Sequence, residues 1–447
     1  MGRQFESGNK ANRVAIRGPK VTRRRILEGA GTLLAAATVP AGFAQAAGPA
    51  ETLKVGFISP RTGPLAGFGE CDPYVLELAR KVFAHGLKVG GKTYAVELLD
   101  RDTQSDPARA SSLAKSLIDD QHVDMMLTTS TPEVVNPVSD ACEAAGVPCL
   151  STIVPWESWY FGRGAKPGQP SPFHWTYHFC FGGHDFFVAY NSQWTGAVKT
   201  NKKVGILYPN DADGNAVREH LAPALAKAGF TIVDAGPYED GTTDFSAQIA
   251  KFKAEQCEIF NTFPIPPDFA TFWRQAAQQG YTRMVKIAQI AKTGLFPSQV
   301  EALGSLGYNL ATAAYWHPTF PYSSPLTGLT SRALADGYEK TTGRQWMQQV
   351  GASMALLDAG FETLKTSGNP KDKAAVAKAM STLKTVTPLG PIDFTKGPVP
   401  NVSTTPIIGC QWVKAKPGSK YKLDLPITEH ADDPKVPIGA TLRPYNA

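Results

Sequence analysis

Residues 54–70 read KVGFISPRTGPLAGFGE, and the fold turns on that stretch. Lys54-Val-Gly-Phe-Ile58 is a short apolar run, a Pro/Gly loop follows it, and YVLELARKVFAHG (74–86) then carries apolar residues at helical spacing. Residues 203–230 repeat the plan, with KVGIL, the loop YPNDADGN and the helical AVREHLAPALAKAGF. A buried-strand signal that gives way to turn residues and then to a 3.6-residue period marks a strand–helix unit.

The echo continues in both halves. YAVELLDRDTQSDPARASSLAKSLIDD (94–120) leads to a strand in HVDMMLTTS (122–130), and TIVDAGPYEDGTTDFSAQIAKFKAEQ (231–256) leads to a strand in CEIFNTF (257–263). Asp106 and Pro107 form a cap and first-turn pair, which places Leu113, Leu117 and Ile118 on one helical face. Asp244 and Phe245 hold the matching place, with Ile249 and Phe252 on the buried stripe. Each half is thus a βαβαβ run, and the chain is expected to be α/β, with two Rossmann-like lobes whose parallel sheets are covered by helices. LATAAYWHPTFPYSSP (310–325) breaks the pattern, a helical region runs from Leu329 to about Leu383, and the end is rich in prolines and strands.

The first residues read differently. Thr22–Gly48 has the Arg23-Arg24-Arg25 cluster, an apolar run from about Leu33 to Phe43 and a small-residue exit at Ala44-Gln45-Ala46. That order is the grammar of a secretory signal peptide, here twin-arginine-like, so residues 1–47 are set apart from the fold. The apolar run is short of the roughly 20 residues that span a bilayer, and no cysteine near the exit offers a lipid anchor. Residues 1–47 hold eight basic and two acidic side chains, which leaves 37 of each in the rest of the chain. A neutral chain lacks the concentrated basic face of a nucleic-acid binder. Six cysteines (Cys71, Cys142, Cys149, Cys180, Cys257, Cys410) allow fifteen full pairings; Cys142 and Cys149 are the nearest in sequence.

The motifs KVGFISPRTGPLAGFGE, DRDTQSDPARA, DMMLTTSTPEVVNPVSDACEAAGVPCLS, DFSAQIAKFK, GPIDFTKG and IIGCQWV occur in an order that resembles the branched-chain amino acid type of periplasmic substrate-binding protein. The resemblance spans about residues 51–430. It implies a type I periplasmic-binding fold, whose lobes are joined by three hinge crossings placed near 174, 310 and 390. Residues 51–174 plus 311–389 would form the N-terminal lobe and 175–310 plus 390–447 the C-terminal lobe. It further implies a monomeric, periplasmic receptor that closes on a small-molecule solute and delivers it to the membrane permease subunits of an ABC importer, without cofactor, metal or nucleic acid.

Candidate site residues follow from the resemblance and from the residues themselves. Phe68 stands where relatives place an aromatic over the ligand; its alternative is a core plug. Thr129 and Ser130 precede Pro132-Glu133, and hydroxyls with free N–H groups at a helix start suit a carboxylate. In STIVPWESWYFGRG (151–164), Trp156 offers an apolar face and one N–H, while Trp159, Tyr160 and Phe161 read as packing beneath it. Phe181 and His184 lie near the next helix start. His174, His178, Cys180, His184 and Asp185 tempt a metal reading, but strand residues four apart lie roughly 13 Å apart, too far to converge on one ion.

In the second lobe Phe263 occupies the place of a tyrosine in amino-acid binders. The ammonium-binding acid should fall near Ala288–Lys292, where Gln289 and Lys292 stand instead. A buried ammonium without a carboxylate is costly, so the solute is expected to be neutral or anionic: a small organic acid, possibly an aromatic carboxylate. Amino acids or amides in the same transport role are the alternative. An exported hydrolase fits less well, since Gly351-Ala-Ser353-Met-Ala355 lacks the last glycine of a nucleophile elbow and no HExxH or phosphate loop appears.

Overall fold

The computed structural model describes residues 51–446. The signal-peptide reading of residues 1–47 lies outside them. The first lobe is built on a seven-stranded sheet in the order Val402–Ser403, Thr176–Phe179, Cys149–Thr152, Met125–Thr129, Thr52–Ser59, Lys92–Asp102 and Leu87–Val89. All neighbours are parallel except the last pair, a hairpin. The second lobe has six strands in the order Ile408–Gln411, Ala311–Ala314, Ile287–Ile290, Ile259–Thr262, Lys203–Leu207 and Thr231–Asp234. Only Ile408–Gln411 runs antiparallel to its neighbour.

Both KVG runs are central strands, and their glycines have the same reason to be there. A Cβ on Gly56 would meet Met126 Sδ at 2.6 Å, and one on Gly205 would meet the Phe252 ring at 2.8 Å. Glycine lets a large side chain lie flat on the sheet at each place. The first expected cap forms: Asp106 accepts from Arg109 N at 2.6 Å and starts the helix Pro107–Asp119. In the second copy Asp244 accepts from Ser246 N at 2.9 Å, but the residue at the helix start is Phe245, which makes no cap bond. The helix Ser246–Ala254 buries Ile249 and Phe252. The helical region after Leu329 is three helices, Ser331–Thr342, Gln349–Thr366 and Lys373–Ser381, of which the second packs on the first sheet.

The crossings differ from their expected places. Thr176–Phe179 belongs to the first sheet and Ala311–Ala314 to the second, while Val402–Ser403 returns to the first and Ile408–Gln411 to the second. The chain therefore changes sheets after Phe179, after Ala314 and between Ser403 and Ile408, a few residues beyond 174 and 310 and well beyond 390. A carboxylate explains the first difference. Glu143, near the end of the helix Pro132–Ala145, accepts from the backbone N–H groups of His174, Trp175 and Thr176 at 2.7, 3.1 and 3.0 Å, and from the Thr176 hydroxyl at 2.8 Å. It gathers the incoming strand into the first sheet. The histidines and cysteine of that segment do not assemble a metal site: among the described residues no group of three or more such ligands converges. All six cysteines are buried and unpaired, so Cys142 and Cys149 are not bridged. No helix of the described residues is long and apolar enough to cross a membrane.

Removing the Glu143 acceptor strands three N–H groups at once. Glu143→Ala is expected to cost about 2–3 kcal/mol in urea unfolding, and Glu143→Gln less, because the amide oxygen still accepts.

Buried acids dominate the response to pH. Burial pushes Asp72 up to about 6 despite hydrogen bonds from Ser59 and Ser353, and pushes Asp358 and Asp185 up to about 7. Burial also pushes His178 down to about 3 and His317 down to about 4. The three acids bind protons more readily folded than unfolded, so their contribution improves as pH falls toward the unfolded carboxylate range. The two histidines bind protons more readily unfolded, and oppose that gain below about 6.5. Stability measured by thermal unfolding is expected to be greater at pH 6.5 than at pH 8 and to level off below, with Asp358→Asn flattening the upper part of the curve.

Candidate functional site

The carboxyl ends of both sheets face one cavity, where the general rule for open α/β sheets places a ligand. Residues that follow strands line it from each lobe: Ser130, Thr131 and Ile153 from the first, Phe263, Ala291 and Lys292 from the second. Each of the three chain crossings adds one residue, Phe181, Tyr315 and Ile407. Phe181 stacks on Tyr315 with ring centres 5.6 Å apart and planes 16° from parallel. The cavity wall and the hinge thus share the same side chains.

On the first-lobe side the chain is strained. Ser130 has φ 140° and Ile153 has φ 79°, both outside the range that a non-glycine residue adopts readily. Backbone held this way costs on the order of 1–3 kcal/mol and persists where the surroundings impose it. The strain turns Ser130 toward the start of the helix Pro132–Ala145, whose cap residue Thr131 makes no side-chain cap bond. The Ser130 and Thr131 hydroxyls are buried with no partner among the described residues. Unpaired hydroxyls beside the N–H groups of a helix start form a receptive end for an anion.

On the second-lobe side the charges are paired. Lys292 is buried, and its Nζ lies 3.0 Å from both Asp211 Oδ2 and Asp213 Oδ2. Burial opposes the charge on Lys292, but the two aspartates outweigh it and hold the lysine protonated. Asp211 also caps the helix Ala212–Lys227 through Gly214 N at 2.6 Å. Asp213 lines the cavity, and its Oδ1 has no partner among the described residues.

Five of the nine expected residues line the cavity: Phe68, Ser130, Phe181, Phe263 and Lys292. Phe68 also meets Phe296 of the other lobe edge-on at 5.1 Å. Four do not line it. Thr129 is buried in its strand opposite Thr152, one residue before the backbone turns inward. Trp156 begins the short helix Trp156–Tyr160 and lies against Gly182 and Phe161; Trp159 and Tyr160 join Phe173 in a separate core. The aromatic run thus packs mostly within that core and not against the cavity. His184 is exposed at the start of the next helix. Gln289 is a core residue whose side chain accepts from Trp194 Nε1 at 3.1 Å. Gln289 lies within the strand Ile287–Ile290, whereas Lys292 lies beyond its end in the turn that follows and reaches the cavity.

Two corrections concern charge. Lys292 is not a free cation, because two aspartates claim it. The second lobe does present an acid: Asp213 comes from the segment YPNDADGN, in the first turn of the helix Ala212–Lys227, rather than from Ala288–Lys292. The repeat marks the segment, which occupies the place of the one bearing Phe68, but not which of its residues faces the cavity. Thr131, Ile153 and Tyr315 were missed because hydroxyl caps, aliphatic turns and tyrosines are ordinary in sequence.

Glycine adopts φ 140° without penalty, so Ser130→Gly is expected to raise stability by about 1 kcal/mol in thermal unfolding, net of the entropy that glycine adds to the unfolded chain. A serine that served only the fold would lose stability on the same change.

Comparison with known proteins agrees with this architecture. The periplasmic binding protein family matches residues 52–404. The Leu/Ile/Val-binding protein homolog 3 of Brucella melitensis is 25% identical over 364 residues, 81% of this chain and 91% of its own length. Two solved structures share the fold. A substrate-binding protein of the branched-chain amino acid transporter of Streptococcus pneumoniae, in complex with isoleucine, has a TM-score of 0.64 and 17% identity, covering 85% of this chain and all of its own. A solute-binding protein of an ABC transporter from R. palustris, in complex with 4-hydroxybenzoate, has a TM-score of 0.68 and 20% identity, covering 86% of this chain and 98% of its own. Two parallel-sheet lobes around a cleft, found through the greater part of the chain, place it in the periplasmic binding protein family, with the type I fold of its Leu/Ile/Val-binding branch.

Proposed function

We propose that the chain is the exported, monomeric solute receptor of an ABC importer. It closes about its hinge on a small organic acid with a ring-sized apolar body and hands it to membrane permease subunits. One observation carries the reading: Ser130 and Thr131, whose hydroxyls are buried and unpartnered at a helix start, line a cavity walled by Phe68, Phe181, Phe263 and Tyr315. The hydroxyls and helix N–H groups hold the carboxylate, and the rings hold the body. Each well-placed ring pair adds about 0.5–1.5 kcal/mol beyond burial. Micromolar affinity, near −8 kcal/mol, is within reach of that set.

Support comes from three sides. Neighbours of the same fold include a receptor that holds 4-hydroxybenzoate and one that holds 3,4-dihydroxybenzoic acid. Phe181, Tyr315 and Ile407 belong to the crossings, so lobe closure and ligand contact involve the same residues. The serine nearest to a nucleophile motif, Ser353, sits in a buried helix and donates to Asp72 at 2.7 Å, which favours a receptor over a hydrolase.

A thermal-shift screen tests the reading. Aromatic carboxylates at ~100 times their dissociation constants are expected to stabilise the protein by about 2.7 kcal/mol. Ser130→Ala and Thr131→Ala should each weaken that binding about tenfold without unfolding the protein. If an amine lacking a carboxylate gave the largest shift, the reading would be wrong.

A further inference from the structure

The most exposed question in the cavity is what answers Asp213. Three facts meet there. Asp213 is almost wholly buried, with 4% of its surface exposed. One oxygen, Oδ2, is taken by Lys292 at 3.0 Å. The other, Oδ1, is buried with no partner among the described residues, on a residue that lines the cavity, while Lys292 is already shared with Asp211. A buried carboxylate oxygen without a donor is an expensive state, and protein relaxation has not removed it here.

The local charge sharpens the demand. Lys292 supplies one positive charge against the two of Asp211 and Asp213, and the carboxylates of Glu133 and Asp240 act on the same group. Burial is the main cause that raises Asp213 above the ordinary carboxylate range; Lys292 restrains the rise, and Asp211 and Glu133 add to it. The second-lobe end of the cavity is therefore short of donors, whereas the first-lobe end, at Ser130 and Thr131, offers hydroxyls.

We propose that Asp213 selects the solute by accepting a hydrogen bond from an N–H or O–H group on its second-lobe end, so that the receptor takes aromatic carboxylates bearing such a donor and discriminates against the same carboxylate without one. The inference rests on the carboxylate reading above and adds a second pole to it. A site built to pair with a polar group rejects the analogue that lacks it, because the protein atom is then left buried and alone.

Calorimetric titration of the intact protein with two matched pairs tests this: 4-hydroxybenzoate against benzoate, and phenylalanine against 3-phenylpropionate. In at least one pair the donor-bearing member is expected to bind ten- to a hundredfold more tightly. Asp213→Ala should abolish that advantage, so that the two members of the pair bind within about threefold of each other. Asp213→Asn keeps an acceptor oxygen without the charge; it should preserve most of the advantage of a hydroxyl and lose that of an ammonium. Circular dichroism and the melting temperature of each variant establish that it folds. Equal binding within both pairs, or an advantage that survives Asp213→Ala, overturns the role of Asp213 and leaves the carboxylate reading standing. Absence of heat from all four compounds overturns the carboxylate reading and this inference with it.

Discussion

A parallel strand covered by helices on both faces has only its ends free, and at its carboxyl end the chain must turn out into a loop. Two such sheets, set with those ends toward a common space, force almost everything else in this protein. Strand-following residues become the wall of the cavity, and the segments that pass from one sheet to the other must run along its edge. The crossings therefore contribute Phe181, Tyr315 and Ile407 directly to the wall. A solute held there touches both lobes and the joint between them.

The two sides of the cavity solve opposite electrostatic problems. The first lobe leaves hydroxyls and helix N–H groups unspent, through a backbone held out of its comfortable range at Ser130 and Ile153. The second lobe buries a lysine, which is tolerable only because Asp211 and Asp213 hold it at 3.0 Å. The pairing uses up the lysine but not both carboxylates. The asymmetry of the cavity, donors on one side and an acceptor on the other, is a by-product of making a buried cation stable.

Aromatic side chains divide between two duties. Trp159, Tyr160 and Phe173 form a core of their own, with Arg163 lying over the Trp159 and Phe173 rings at 4.6 and 4.1 Å. Phe68, Phe181 and Phe263 face the open space instead. Nothing in their composition separates the two groups. The first set follows a turn whose backbone Ile153 has already directed inward, so the next residues can only pack behind it.

The sequence by itself determined the α/β class, the doubled plan, the helix caps at Asp106 and the strand ends where a site must lie. These are local: periodicity, turn residues and caps act within a few positions. It also named Phe68, Ser130, Phe181, Phe263 and Lys292, through the resemblance to a known family and because strand-end residues of a repeated unit converge wherever the sheets meet. Only the tertiary structure decided that Lys292 is neutralised from a loop some eighty residues earlier, that Asp213 rather than a residue near Ala288 supplies the acid, and that Gln289 and Trp156 turn away from the cavity. The same holds for the strand Thr176–Phe179, drawn into the first sheet by Glu143. Charge pairing and side-chain facing depend on which distant segments come together, and no local pattern encodes that.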